Sequence, residues 1–199
     1  MAQAAAAAVD DHGHTTTGIS NFKVGFWTFI ASECLFFGTL ISTYMVYKGR
    51  AVVGPYPAEI FDVLITTIST TVLLFSSLAM VLALHAVQLA NKKHAIWWLV
   101  AVIAMGGIFL GMEFNSYLKY IDYGLTLGSS TFGSSYYVLT GTHKVHVALG
   151  MVWMGVLIWL IARNRIPPAK SEQVEIAGLY WHFVDIIWIV IFTLVYLIQ

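Results

Sequence analysis

Eight residues that could carry charge or bind a metal stand inside stretches otherwise fit for lipid: Glu33, His85, Glu113, His143, Lys144, His146, His182 and Asp185. An ionised Asp at mid-bilayer costs roughly 2.5–3.5 kcal/mol even on the lenient insertion scale, so such residues need partners or a polar cavity. Positions three apart share a helical face, which puts His182 beside Asp185 and sets Trp181, Asp185 and Trp188 along one stripe.

Buried groups of this kind can relay protons, line an ion path, hold a metal, seat lipid headgroups or fix helix order through paired side chains. For His182 and Asp185, structure or lipid seating and direct proton handling both remain open. Glu33 stands among Phe29, Phe36 and Phe37 with no basic residue within a turn, and is open to the same two readings. Lys144 is the expected internal counter-ion of Glu113. The i, i+3 pair His143 and His146 could chelate a metal or ligate haem, yet catalytic zinc takes a third protein ligand and haem ligands on helices normally face one another across a bundle. There is no HExxH, and His12 and His14 in the N-terminal tail lack the further ligands of a metal site. No catalytic, cofactor-binding or metal-binding constellation is therefore complete.

Five apolar segments, 24–47, 62–89, 95–118, 136–162 and 174–198, must position these groups. Each has the ~20 residues that span a bilayer as a helix, and hydrocarbon demands internal partners for every backbone polar group. The fold class is predicted to be all-α, a polytopic membrane protein with a five-transmembrane-helix bundle over 23–199 and a polar tail over 1–22. Of the 199 residues, 59% are hydrophobic and 10% charged, against about 25% charged in soluble domains. The zero formal net charge argues against a nucleic-acid partner. Cys34, the single cysteine, can form no internal disulfide. The tail lacks the basic start of a signal peptide.

The breaks at 49–57, 90–94, 122–133 and 163–171 are short and rich in Gly, Pro, Ser or basic residues. Lys23, Lys92, Lys93, Arg163, Arg165 and Lys170 fall on one side of the membrane, and Lys48, Arg50 and Lys119 on the other. That asymmetry predicts a cytoplasmic N-terminus and a C-terminus outside. Glu33, His85, His182 and Asp185 would then form one inner cluster, and Glu113, His143, Lys144 and His146 an outer one. The odd number of spans and the lack of an internal repeat weigh against an inverted-repeat transporter. Gly107 and Gly111, after Gly106, are expected to let helices approach closely, and the Ser/Thr-rich second span reads as packing. Trp97, Trp98, Tyr117, Tyr120 and Tyr123 read as interface anchors.

Three stretches carry a specific resemblance: Gly25 to Phe37 (GFWTFIASECLFF), Phe132 to Val147 (FGSSYYVLTGTHKVHV) and Tyr180 to Trp188 (YWHFVDIIW). With Gly111 to Tyr117 (GMEFNSY), they resemble subunit III of the haem–copper terminal oxidases, in its shorter five-helix bacterial form. The resemblance implies an accessory, cofactor-free chain in the bacterial plasma membrane, packed beside subunit I, with haem and copper on the partner subunits. Subunit II is a further expected partner, as are a small subunit IV or a larger respiratory supercomplex, and phospholipids held in a cleft. It also implies support for proton uptake and protection of an enzyme that reduces oxygen to water. Glu33 matches the family's buried carbodiimide-reactive glutamate, His182 and Asp185 its final Trp-His-Phe-x-Asp motif, and His143 and His146 its paired-histidine motif. Thr142 and Lys144 replace the Phe and Gly of many cytochrome c oxidase versions. The Thr-His pair and histidine-bearing tail are similar to the quinol-oxidase branch, while Glu33 is similar to the cytochrome c branch. The subunit III-like partner of nitric oxide reductase shares the five-helix pattern. A proton-coupled transporter using Glu33 and Glu113, or a metalloenzyme using His143, His146 and Glu113, are the rival readings.

Overall fold

The computed structural model describes residues 21–48, 61–168 and 171–198. The tail with His12 and His14, the loop with Arg50, Pro55 and Pro57, and Lys170 lie outside the described residues. Among the described residues five helices follow one another: α1, Asn21–Tyr47; α2, Val63–Gln88; α3, Lys92–Asp122; α4, Thr131–Ala162; and α5, Glu172–Phe192, which continues as a π-helical turn, Thr193–Leu197. Each is long and apolar enough to cross a membrane, α5 together with its π turn, and no strand occurs among the described residues.

Side-chain caps set three of the helix starts by satisfying amides that have no intrahelical acceptor. Asp62 Oδ1 accepts from Ile65 N at 3.2 Å, Asn91 Oδ1 from His94 N at 3.3 Å, and Ser130 Oγ from Gly133 N at 3.0 Å. The last cap corrects the expected boundary: α4 begins at Thr131 rather than 136, because the Gly/Ser run read as loop supplies its cap and first turn. Gly133 is there for close approach, since a Cβ on it would lie 2.6 Å from the Thr126 carbonyl oxygen. Ala90 (φ 57°) and Asn164 (φ 58°) turn the chain out of α2 and α4 in the left-handed conformation that often follows a helix.

Two units are distinguished, residues 1–36 and 37–199. In the first, α1 is mostly exposed, and its hydroxyls turn back on their own helix: Thr28 Oγ1 donates to Val24 O at 3.0 Å and Ser32 Oγ to Phe29 O at 2.7 Å. In the second, α2 packs on α3, α3 on α4, α4 on α5 and α5 on α2. The later part of α1 enters this packing through two buried rings, Phe37 beside His146 and Phe183, and Tyr44 beside Phe132.

Trp181 is buried at the centre of the second unit, and two glycines admit it. A Cβ would fall 3.0 Å from its ring at Gly106 and 2.9 Å from it at Gly150. This corrects the expected pair: Gly111 faces open space and Gly107 meets only the end of Met151 at 3.9 Å. The close packing therefore serves an indole rather than a bare helix crossing. Trp97 (62% exposed) and Tyr123 (64% exposed) are placed as interface anchors would be. Tyr120 is buried and Tyr117 half-buried, so both belong to the interior instead.

Candidate functional site

The buried polar groups of the second unit lie in successive layers between antiparallel helices. In one layer, Trp181 Nε1 donates to Ser76 Oγ at 2.9 Å, and Ser77 Oγ meets His182 Nδ1 at 2.5 Å. Six residues back along α2, about 9 Å at 1.5 Å per residue, Trp188 Nε1 donates to Thr70 Oγ1 at 2.9 Å. Numbers fall on α2 as they rise on α5, so these bonds fix the antiparallel register of the two helices. A one-turn slip would break them all. Each indole N–H would otherwise be an unpaired donor in a dry interior, where loss of a partner costs about 1–3 kcal/mol.

The second layer holds a charge. Glu113 is 1% exposed on α3, and its Oε2 lies 3.3 Å from Lys144 Nζ on α4. Ser69 Oγ of α2 approaches Glu113 Oε1 at 3.3 Å. The Lys144 ammonium also sits 3.1 Å from the centroid of the Tyr117 ring, and the Tyr117 hydroxyl meets Thr140 Oγ1 at 2.5 Å. The carboxylate, the cation, the ring face and the three hydroxyls together join α2, α3 and α4. A carboxylate in hydrocarbon needs such company, and the facing cation with a ring quadrupole supplies it.

His143, one residue before Lys144, is fully buried in an aromatic box. Its ring stacks on Trp188 at 4.9 Å and 24°, with Phe109 edge-on at 6.1 Å, and neither ring nitrogen has a hydrogen-bond partner. His146 stands off this layer: its Nδ1 meets Thr142 O at 2.9 Å, and its ring packs on Phe37 at 5.0 Å. Beyond the charged layer, Tyr136 and Tyr196 join by their hydroxyls at 2.8 Å, with Phe61 against both rings.

The structure thus brings Glu113 and Lys144 together, and sets His143 beside them in a different, aromatic environment. Among the described residues no group of three His, Cys, Asp or Glu side chains is placed to hold a metal ion. The expected inner cluster is only partly assembled. Asp185 is buried with neither carboxyl oxygen in a hydrogen bond of good geometry, and Ser77 is the polar side chain that bears on it. His182 is half-buried. Both lie well inside α5 rather than at its opening, His182 being about 15 Å from the helix start. His85 does not join them. It is exposed, and lies eight residues beyond Ser77, about 12 Å along α2. Glu33 belongs to the first unit, where it is half-buried.

The Ser/Thr-rich second span, read from the sequence as packing, does pack, and what the sequence did not show was which of its hydroxyls accept from tryptophans. Thr66, Ser69, Thr70 and Ser76 are buried, and they follow the i, i+3, i+4 spacing of one helical face. That spacing was the available signal. The buried stripe of hydroxyls faces donors on a neighbouring helix, and here the donors are two tryptophans, whereas the exposed Thr67 and Thr71 turn back on their own helix.

A family model described as Cytochrome c oxidase subunit III matches residues 4–199. The chain is 39% identical over 175 residues to the quinol oxidase subunit 3 of Bacillus subtilis strain 168, covering 87% of this chain and 85% of that one. It is 36% identical over 184 residues to the cytochrome c oxidase subunit 3 of the same organism, covering 92% and 88%. It is 34% identical over 187 residues to the cytochrome bo(3) ubiquinol oxidase subunit 3 of Pseudomonas aeruginosa, covering 94% and 90%. With a matching family model over nearly the whole length and a bundle of membrane-length helices, the chain belongs to the cytochrome c oxidase subunit III family.

Proposed function

We infer that this chain serves as the accessory subunit III of a proton-pumping haem–copper terminal oxidase, packed beside subunit I and leaving oxygen chemistry to the haem and copper of its partners. The observation that carries this is the family match over residues 4–199 of a chain with five membrane-length helices. The buried polar groups support the same reading, because Ser76, Ser77, Thr70, Ser69 and Lys144 are engaged with residues of neighbouring helices. Their role is to hold α2–α5 in one register.

Within that role, the half-buried Ser77–His182 pair, with Asp185 below it, is the group available to a lipid headgroup or a proton. Glu33 is assigned to lipid or proton traffic from its motif. His85, exposed and apart, is left out of this assignment. The N-terminus is proposed to be cytoplasmic, from the distribution of Lys and Arg. Subunit II, and a small subunit IV or a larger assembly, are the further partners proposed.

Purification of the tagged chain from its native membrane in mild detergent tests the reading. Haem-bearing subunits should co-purify, and the preparation should consume oxygen with either a quinol or reduced cytochrome c. Which donor works assigns the branch, since relatives named for each share between 34% and 39% identity with this chain. A chain recovered without any haem protein in several detergents would remove the proposal.

A further inference from the structure

On the face of α3 turned away from the bundle, Ile108, Gly111, Asn115, Leu118 and Asp122 are all exposed. They are spaced three, four, three and four apart, the seam along which two long helices pack at a small angle. Asn115 stands in the middle of this seam, about 10 Å inside the end of the helix at 1.5 Å per residue. Among the described residues none pairs with its carboxamide, nor with the exposed side chains of Lys119 and Asp122. Hydrocarbon offers a carboxamide no partner, and polar side chains of this kind bond across membrane helices. Gly111, one turn earlier, adds no bulk to the seam, since a Cβ there would meet nothing within 4 Å.

Three features make the seam complementary to itself. Two copies of one chain share their orientation in a membrane, so a two-fold axis along the membrane normal brings α3 against α3 in parallel, with equal positions at equal depth. Asn115 then faces Asn115, and a carboxamide both donates and accepts, so the pair is satisfied by symmetry; a single Asn in such a seam also fixes register. Lys119 and Asp122, three residues apart on one edge, set opposite charges where each reaches its opposite across the axis. Phe114 stands exposed on one flank of the seam, and on the other flank Met112 and Lys119, with Ser116 and Ile65 of α2, line a hollow of about 410 Å³. In a parallel two-fold pair each flank faces the opposite flank of the other helix, so each Phe114 ring meets the other copy's hollow.

We propose that this face of α3 is a docking surface for a second copy of the chain, with Asn115 bonded to Asn115, Lys119 paired with Asp122 across the axis, and Phe114 seated beside Met112. The surface lies on the opposite side of α3 from Glu113, two residues and so about 200° away. It does not rest on the oxidase reading or on the electron donor.

The test uses the full-length chain in its native membrane, with the subunits that travel with it. Leu118→Cys is introduced together with Cys34→Ser, which removes the exposed native thiol, and mild oxidation should then give a covalent dimer of the chain. Val145→Cys, exposed on α4 instead, should give none. Asn115→Val in the Leu118→Cys chain should lower the dimer yield on the order of tenfold at limiting expression, and Asn115→Gln should retain it. Lys119→Asp should lower the yield as well, and adding Asp122→Lys should restore it, an exchange that a mere loss of folding would not rescue. If Asn115→Val fails to insert, the charge exchange carries the same comparison. No crosslink at Leu118→Cys, or a crosslink to a different protein only, would overturn the surface. So would a dimer whose yield Asn115→Val and Lys119→Asp leave unchanged.

Discussion

Lys144→Met removes the cation facing Glu113 while keeping a similar unbranched stem between α3 and α4. At the observed 3.3 Å, the charges attract by about 5 kcal/mol at an effective dielectric of 20. Desolvation of both groups offsets much of that, so the pair adds little net stability. The asymmetry lies in removing one side. Glu113 is 1% exposed, with Ser69 as its remaining hydrogen-bond partner, and a stranded buried charge costs about 3–5 kcal/mol. For a chain of this size that is a fall in Tm of roughly 6–20 °C at about 2–4 °C per kcal/mol. Glu113→Gln strands Lys144 instead and should cost less, because that side chain is 13% exposed and keeps the Tyr117 ring face and the amide oxygen as company. The double variant Glu113→Gln/Lys144→Met should recover most of the loss. The assay is thermal unfolding of the solubilised protein, read as a double-mutant cycle. If Lys144→Met is as stable as wild type, or the two changes simply add, the pair is not coupled and the account of the charged layer is wrong.

Three other perturbations separate the remaining contributions. Gly150→Ala places a methyl 2.9 Å from the Trp181 ring and should destabilise by about 1–3 kcal/mol, seen as a lower Tm with altered Trp fluorescence; Gly111→Ala, in open space, is the neutral control. Thr70→Val leaves the buried Trp188 N–H without its acceptor and should cost about 1–3 kcal/mol, with Thr70→Ser recovering most of it in the same measurement. Ser130→Ala deletes the cap on Gly133 N and should cost about 1 kcal/mol, seen as faster amide hydrogen exchange confined to the first turn of α4.

The spans, the all-α class and the family strings were legible in the sequence, because each depends on local information. About twenty apolar residues in a row can cross hydrocarbon only as a helix, and a motif is read without knowing what it touches. The partner of Glu113 was also legible, since few cations exist inside the spans. What needed the tertiary structure was rotation and register. Lipid is as apolar as a protein core, so the hydrophobic stripe that orients a soluble helix carries little information here. The faces of α2 and α5 are chosen instead by a few polar contacts, Ser76 with Trp181, Thr70 with Trp188 and Ser77 with His182, whose donors and acceptors lie more than a hundred residues apart. For the same reason Gly106 and Gly150 proved to be the close-packing glycines, Tyr117 and Tyr120 turned inward, and His85 was left outside the cluster to which its depth alone assigned it. The sequence by itself determined which segments enter the membrane; the meeting of distant polar side chains in a dry interior decided which faces they present to one another.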